Sequence, residues 1–232
     1  GVRRPTLLRG RMLVEAVAGL DAEAPGQHAL PQRRRGAVRG VTALGVEQSA
    51  WLGEHFAARG QRFARVISGS LDRQTGTLQA ILERLPGSPV PITDPRFNEY
   101  DVASVLGEFR HDDERALRAT GDRRRYFTAV RDALFAWSRQ DRPFAGGESW
   151  GQFGERIAAG IESACENLDG EAQVLIGTSG GVIGRAVADA LEAGPPAAIL
   201  LYTLAPELLI GWARANRPEE CAYMLPDICT RP

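Results

Sequence analysis

Two short turns carry the residues best suited to chemistry, and each turn follows a run of apolar residues. The first turn, at residues 68–70, leads into a segment that carries Arg73, and the second turn contains Ser179 and Gly180. A guanidinium can hold a phosphate through two parallel hydrogen bonds. A glycine-rich turn that opens a helix offers unpaired backbone N–H groups to an anion. Together the turns predict a site that binds a phosphorylated ligand through Arg73, Ser179 and Gly180.

Each turn also fits a simpler interpretation. Arg73 can be interpreted as an exposed arginine of a helix that pairs with Asp72 or Asp94. The glycines at 177, 180 and 181 fit an ordinary strand-to-helix connection in which small residues allow close packing. Neither turn by itself decides between these interpretations and phosphate binding.

The second turn matches a catalytic motif as well. Its sequence is G-x-S-x-G around Ser179, which is the nucleophile motif of α/β-hydrolases. In those enzymes the base histidine follows the nucleophile in the chain, whereas His28, His55 and His111 all precede Ser179. An esterase with Ser179 as nucleophile would therefore need another chain order, and it is kept as an alternative.

The composition excludes several kinds of chemistry. All 28 basic residues of the 232-residue chain are arginines. Schiff-base catalysis and the P-loop both need a lysine amine, so both are excluded. The three cysteines and three histidines are too few and too scattered for a disulfide framework or a histidine-rich metal site. We expect neither a metal nor a cofactor.

The charge and hydropathy pattern limits the kinds of partner that we expect. The net charge of -1 provides no overall field that would attract nucleic acid or an anionic membrane. The most apolar stretch, residues 197–213, is interrupted by Pro206 and Glu207, which is typical of a buried core and not of a membrane span. Scattered cysteines fit a reducing compartment, so we expect a cytoplasmic protein. This pattern does not decide whether the chain self-associates.

Apolar runs and helical patterns alternate from residue 42 onward. Strands are predicted at residues 63–68, 90–92 and 173–177, and helices at 46–59, 71–85, 149–168 and 182–191. This alternation predicts a three-layer α/β sandwich, with a mostly parallel central sheet and helices on both faces. Within the domain at 42–232, the helical stretch at 102–141, interrupted near Gly121, would form a cap over the site.

The opening segment differs from the rest of the chain. Residues 1–41 are rich in arginine, with a balance of eight basic to three acidic residues up to position 40. Apart from short apolar runs such as Met12-Leu13-Val14, the segment has no periodicity, which indicates a loop or a disordered arm.

Four stretches follow one another along the chain: TALGVEQ at residues 42–48, VISGSLDRQTGT at 66–77, FNEYD at 97–101, and GGES at 146–149 followed by VLIGTSGG at 174–181. In this order they resemble the motifs of the histidine phosphatase superfamily, whose fold is that of phosphoglycerate mutase. The resemblance covers about two thirds of the chain. It implies the phosphoglycerate mutase-like fold and a phosphatase that needs no metal.

The resemblance also implies roles for individual residues. In this family a histidine of an R-H-G motif at the end of the first strand attacks the phosphoryl group, and arginines and a second histidine neutralise its oxygens. A carboxylic acid protonates the leaving oxygen and then activates water. By position in the motifs, Arg73 binds the phosphate and Glu99 is the general acid and base, while Ser179 stands where the second histidine usually lies.

No R-H-G motif occurs in the chain. Residues 6–10 (TLLRG) resemble the first strand and its motif without the histidine. His28 precedes the TALGVEQ stretch at an interval that suits the family, so it is the candidate nucleophile. The leading hypothesis is a hydrolase of a small phosphomonoester, and the first alternative is a non-catalytic relative that binds a phosphorylated ligand or a partner protein.

Overall fold

The computed structural model describes residues 13–15, 41–168 and 172–201. Its strands are β1 (Leu13–Glu15), β2 (Arg65–Ser68), β3 (Ile92–Thr93) and β4 (Val174–Gly177). Its helices are α1 (Ala43–Ala58), α2 (Asp72–Leu82), α3 (Val102–Arg110), α4 (Glu114–Ala119), α5 (Arg123–Gln140), α6 (Trp150–Cys165) and α7 (Gly180–Ala190). A 3₁₀ turn spans Pro95–Phe97, and residues 195–201 are also helical.

The strands pair in parallel in the order β1-β4-β2-β3. The register places Gly177 of β4 between Ser68 of β2 and Glu15 of β1, and it pairs Ser68 with Thr93 of β3. The carboxyl ends of all four strands therefore share one edge of the sheet. Ligands of open α/β sheets bind at this edge.

Helices cover both faces of the sheet, because successive side chains of a strand point to opposite faces. On one face, Val66 and Leu175 pack with apolar residues of α1 and α2. On the other face, Ile67 and Ile176 pack with apolar residues of α5, α6 and α7. Full burial of such a side chain contributes about 1.5–3 kcal/mol relative to its exposure. The three-layer α/β sandwich predicted from the sequence is confirmed.

Side-chain caps decide where two of the helices begin. The Oγ1 atom of Thr42 accepts a hydrogen bond from the Gly45 N–H at 3.0 Å, so α1 begins three residues before the predicted start. Ser149 and Gln152 form the predicted capping box of α6, with backbone-to-side-chain distances of 2.9 and 3.1 Å. These bonds satisfy backbone N–H groups that have no partner within a helix.

The predicted helical stretch at 102–141 consists of α3, α4 and α5. A break near Gly121 was predicted, but a second break at His111 was not. His111 ends α3 in the left-handed conformation (φ 57°), which glycine adopts far more readily, so the residue type gave no signal. Trp137 of α5 is fully buried, and its ring centroid lies 5.3 Å from that of Tyr100. The stretch therefore packs directly beside the loop that carries Glu99.

The interpretation of the opening segment as a loop or disordered arm was wrong for residues 13–15. These residues form β1, which pairs with the buried strand β4. The apolar run that includes Leu13 and Val14 was visible in the sequence, but three residues are too few for a periodic pattern.

Several predicted features lie outside the described residues. They are the TLLRG stretch at residues 6–10, His28, and all of the apolar stretch 197–213 beyond residue 201. Across the described ranges, no helix combines the length and apolar character that crossing a membrane requires.

Candidate active site

Both predicted turns lie at the carboxyl edge of the sheet and touch one another. Ser68 and Gly177 end two neighbouring strands in register, and the Gly69 N–H donates to the Gly177 carbonyl at 3.0 Å. Helix α2 begins just beyond the first turn, and α7 begins just beyond the second. The sheet thus brings together two segments that lie more than a hundred residues apart.

Arg73 lies in the first turn of α2 and is half-buried. Asp94 does not pair with it, because that carboxylate is held by the guanidinium of Arg96 at 2.6 Å. Within the described part of the chain, the Arg73 guanidinium makes no hydrogen bond or ion pair. The charge of Arg73 lowers the pKa of the Glu99 carboxyl group, against the larger effect of burial. Arg73 is thus a cation with its donors available at the edge where ligands bind.

Glu99 follows the 3₁₀ turn and reaches the N-terminus of α7. Its Oε2 atom accepts a hydrogen bond from the Gly181 N–H at 2.9 Å, and its Oε1 atom accepts a longer bond from the Tyr100 N–H at 3.3 Å. The carboxylate therefore occupies part of the positive end of α7. The N–H of Gly180, the first residue of that helix, has no acceptor within the helix.

Burial raises the pKa of Glu99 to about 7. The Gly181 hydrogen bond, the charge of Arg73, the Tyr100 hydrogen bond and the charge of Arg156 act in the opposite direction and lower it. Loss of hydration outweighs these stabilising contacts, as expected for a carboxyl group in an enclosed position. Near neutral pH, Glu99 is therefore present in both protonated and ionised forms, which is the condition that acid–base catalysis needs.

Ser179 is buried, with 2% of its surface exposed, and its Oγ atom accepts a hydrogen bond from Gln74 Nε2 at 2.8 Å. No histidine of the described ranges is bonded to it: His55 faces Arg59 on α1, and His111 ends α3. The described residues therefore provide no histidine base for a serine esterase at Ser179. The hydroxyl proton of Ser179 stays available for donation to an oxygen of a ligand.

Gln74 was not singled out in the sequence, although it links every part of the site. Its Oε1 atom accepts from the Leu71 N–H at 3.3 Å, and its Nε2 atom donates to Ser179 and to the Phe97 carbonyl at 3.0 Å. It therefore connects the start of α2, the loop before Glu99 and the turn before α7. The capping signature needs Ser or Thr at the N-cap as well as Gln at the third position, and Leu71 stands at the N-cap of α2, so the sequence carried only half of that signal.

Arg156 binds the backbone of the loop that precedes Glu99. Its guanidinium binds both carboxylate oxygens of Glu148 and donates to the carbonyls of Arg96 and Asn98 at 2.6 and 2.8 Å. These bonds use the donors that a phosphate would need, so Arg156 holds the loop in place. Arg156 is a second residue that the sequence did not single out.

The replacement Gly181→Ala is expected to destabilise the fold by about 1–3 kcal/mol, because a buried site without free space is overfilled. A Cβ atom at this position would collide with the Glu99 carboxylate and lie 2.7 Å from Cε1 of Tyr100. Chemical denaturation measures the change. In the matched control Gly107→Ala, the new methyl group meets no atom within 4 Å and should stabilise α3. Equal effects in the two variants would contradict the close approach of Glu99.

The candidate nucleophile His28 is not among the described residues, so its position relative to Arg73 and Glu99 stays a prediction. The sequence that follows β1 is Ala16-Val17-Ala18-Gly19 and contains neither histidine nor arginine. In the described ranges, no group of three or more His, Cys, Asp or Glu side chains could hold a metal ion.

The family model described as "Histidine phosphatase superfamily (branch 1)" matches residues 40–205. No curated protein sequence gives a significant match.

Three solved structures illustrate the similarity. The open reading frame Rv3214 from Mycobacterium tuberculosis has a TM-score of 0.50 at 14% identity, covering 81% of this chain and 82% of its own. The alpha-ribazole phosphatase from Shigella flexneri has a TM-score of 0.47 at 17% identity, with the same coverage of 81% and 82%. A mycobacterial glucosyl-3-phosphoglycerate phosphatase has a TM-score of 0.46 at 23% identity, covering 69% and 73%.

Proposed function

The chain belongs to the histidine phosphatase superfamily, and we propose that it hydrolyses monoesters of phosphoric acid at the carboxyl edge of its sheet. The observation that carries the proposal is that two side chains lie at the same edge of the sheet: Arg73, whose guanidinium has no partner in the described ranges, and Glu99, whose pKa is raised to about 7. Phosphoryl transfer needs a cation for the equatorial oxygens and an acid for the leaving oxygen. These two side chains supply both needs.

The proposed reaction has two steps. Arg73, the Gly180 N–H and the Ser179 hydroxyl hold the phosphoryl oxygens while a histidine nitrogen attacks phosphorus. The bond from phosphorus to the alcohol oxygen breaks, and protonated Glu99 gives its proton to that oxygen. In the second step ionised Glu99 takes a proton from water and the water oxygen attacks phosphorus. The bond from phosphorus to the histidine nitrogen breaks, which frees the histidine and releases inorganic phosphate.

His28 is the proposed nucleophile. The experiment mixes the full chain with ³²P-labelled aryl phosphate and quenches it with alkali, in which phosphohistidine survives. We expect turnover and a labelled chain in the parent protein, and neither in His28→Ala. Turnover that persists in His28→Ala would remove His28 from the mechanism.

A second candidate function is favoured by one observation. Strand β1 ends at Glu15 on the edge that holds Ser68 and Gly177, and the next residues, Ala16 and Val17, cannot act as nucleophiles. The alternative is a family member that binds a phosphorylated ligand without hydrolysing it. Binding of phosphate without turnover or label in the experiment above would select this alternative.

Both functions require Arg73, which gives a prediction independent of turnover. The change Arg73→Ala is expected to weaken the binding of inorganic phosphate at least about tenfold, since a bidentate pair with a charged group contributes about 1.5–3 kcal/mol. Arg73→Lys should recover only part of the loss, because an ammonium lacks the planar fork. Isothermal titration calorimetry measures both dissociation constants.

The matched control is Arg62→Ala. Arg62 is exposed and precedes β2, so it lies toward the opposite edge of the sheet. The dissociation constant of phosphate should not change in this variant. An equal weakening in Arg62→Ala and Arg73→Ala would mean that phosphate responds only to net charge.

A further inference from the structure

A cleft of about 230 Å³ lies next to Glu99. We propose that this cleft receives the alcohol part of the substrate and selects a small, uncharged alcohol that carries a single ring. The inference deepens the proposed function, because it takes the phosphate position from Arg73 and α7.

The direction of the substrate follows from the position of Glu99. Its carboxylate accepts a hydrogen bond from the Gly181 N–H at the start of α7, and the same residue lines the cleft. The oxygen that Glu99 would protonate joins the phosphorus to the alcohol. With the phosphate held at Arg73 and α7, the alcohol therefore extends into the cleft.

The walls of the cleft are about half polar and half apolar, and four side chains form the apolar part. Tyr100, Val105, Trp137 and Phe144 line it. Trp137 is fully buried and donates its indole N–H to the Glu148 carbonyl at 2.9 Å. Trp137 therefore fixes the wall from within, and Phe144, which is only partly buried, is the aromatic lining residue that a ring of the ligand can contact.

The size of the cleft limits the alcohol to one ring. Sites for drug-sized molecules span about 300–1,000 Å³, which is larger than this cleft. A second ring would extend into solvent and gain little contact.

The charge of the cleft excludes anionic alcohols. Among the described residues, the charged side chains that line it are all acidic: Glu99, Asp101 and Glu148. Glu148 is neutralised by Arg156 at 2.7 Å. Asp101 makes no ion pair in the described ranges; its carboxylate accepts from the Ala103 N–H and the Ser104 hydroxyl. A carboxylate or second phosphate on the alcohol would therefore meet a negative charge without a compensating cation.

The test uses binding, so it does not depend on hydrolysis. Isothermal titration calorimetry compares phenylphosphonate with (4-carboxyphenyl)phosphonate, which present the same phosphonate and ring to the intact chain. We expect phenylphosphonate to bind about tenfold more tightly, since a like charge in an enclosed site costs that much or more. Equal dissociation constants, or no binding of either compound, would overturn the assignment of the cleft.

Two variants locate the source of the discrimination. Asp101→Asn keeps a side chain that can cap α3 and removes the charge, so the ratio of the two dissociation constants should fall about threefold. Asp113→Asn makes the same change at the start of α4, where Asp113 accepts from Ala116 N–H at 2.6 Å away from the cleft, and should leave the ratio unchanged. A ratio that does not respond to Asp101→Asn would contradict the role of Asp101.

Turnover of phenyl phosphate separates the two proposals. A binding preference without turnover supports the cleft and rejects hydrolysis. Turnover with no preference between the two phosphonates supports hydrolysis and rejects the cleft.

Discussion

The Glu99→Gln variant should gain stability over the parent chain as the pH rises, by about 3 kcal/mol between about pH 4 and pH 8.5. Burial raises the pKa of Glu99 from 4.5 to about 7, so the folded chain binds this proton more tightly than the unfolded chain. Between those two pKa values the folded state holds more protons. The free energy of unfolding of the parent therefore decreases with rising pH, and glutamine, which does not ionise, avoids this decrease.

Urea denaturation of both proteins at several pH values measures the difference. Glu155→Gln removes an exposed carboxylate from α6 and serves as the control, for which we expect a small and nearly constant difference. A difference between Glu99→Gln and the parent that stays constant from pH 4 to pH 8.5 would contradict the enclosed position of Glu99.

The same variant tests the acid role of Glu99. Glutamine cannot donate a proton, so turnover of an aryl phosphate should fall by at least roughly 10², the contribution typical of a general acid. The parent should lose activity as the pH rises through about 7, where Glu99 ionises. In Glu99→Gln that dependence should disappear from the remaining activity.

The Gln74→Ala variant should lose about 2–4 kcal/mol of stability, because truncation leaves a cavity and unpaired buried polar groups. Gln74 is 1% exposed. Its loss leaves the Leu71 N–H without that acceptor and the Ser179 hydroxyl without that donor. The Phe97 carbonyl keeps a hydrogen bond from Thr178 Oγ1 at 2.6 Å, so the loop before Glu99 is weakened without being released.

Gln79→Ala is the matched control, since Gln79 is an exposed glutamine of the same helix. Its stability should change by less than about 0.5 kcal/mol. Affinity for inorganic phosphate provides the second measurement, because a loosened Ser179 should weaken phosphate binding in Gln74→Ala and not in Gln79→Ala. Equal stability of the two variants would show that Gln74 does not connect the turns.

The sequence predicts site roles for Arg73 and Glu99 from the motifs that surround them, but it does not show the environment of either side chain. Asp94 was a candidate partner of Arg73 in the sequence, but in the fold its carboxylate binds Arg96. Arg73 therefore has no partner in the described ranges. The pKa of Glu99 is raised by burial in the folded chain, and the largest opposing effect is a hydrogen bond from Gly181, a residue 82 positions away in the chain. Gln74 and Arg156 were missed because their partners are carbonyls and side chains of distant segments.

Local patterns are sufficient to predict the strands and helices of the sandwich, since alternating apolar residues and capping side chains act over a few positions. In this way Ser149 predicted the start of α6, and the apolar run before Gly177 predicted β4. Parallel strands end at the same edge of a sheet, and from this we expected the two turns to meet. Only the register of Ser68 with Gly177 in the fold established that they do. Long-range contacts of this kind, together with the loss of hydration that they cause, arise from the packing of the whole chain and leave no trace in any short stretch of sequence.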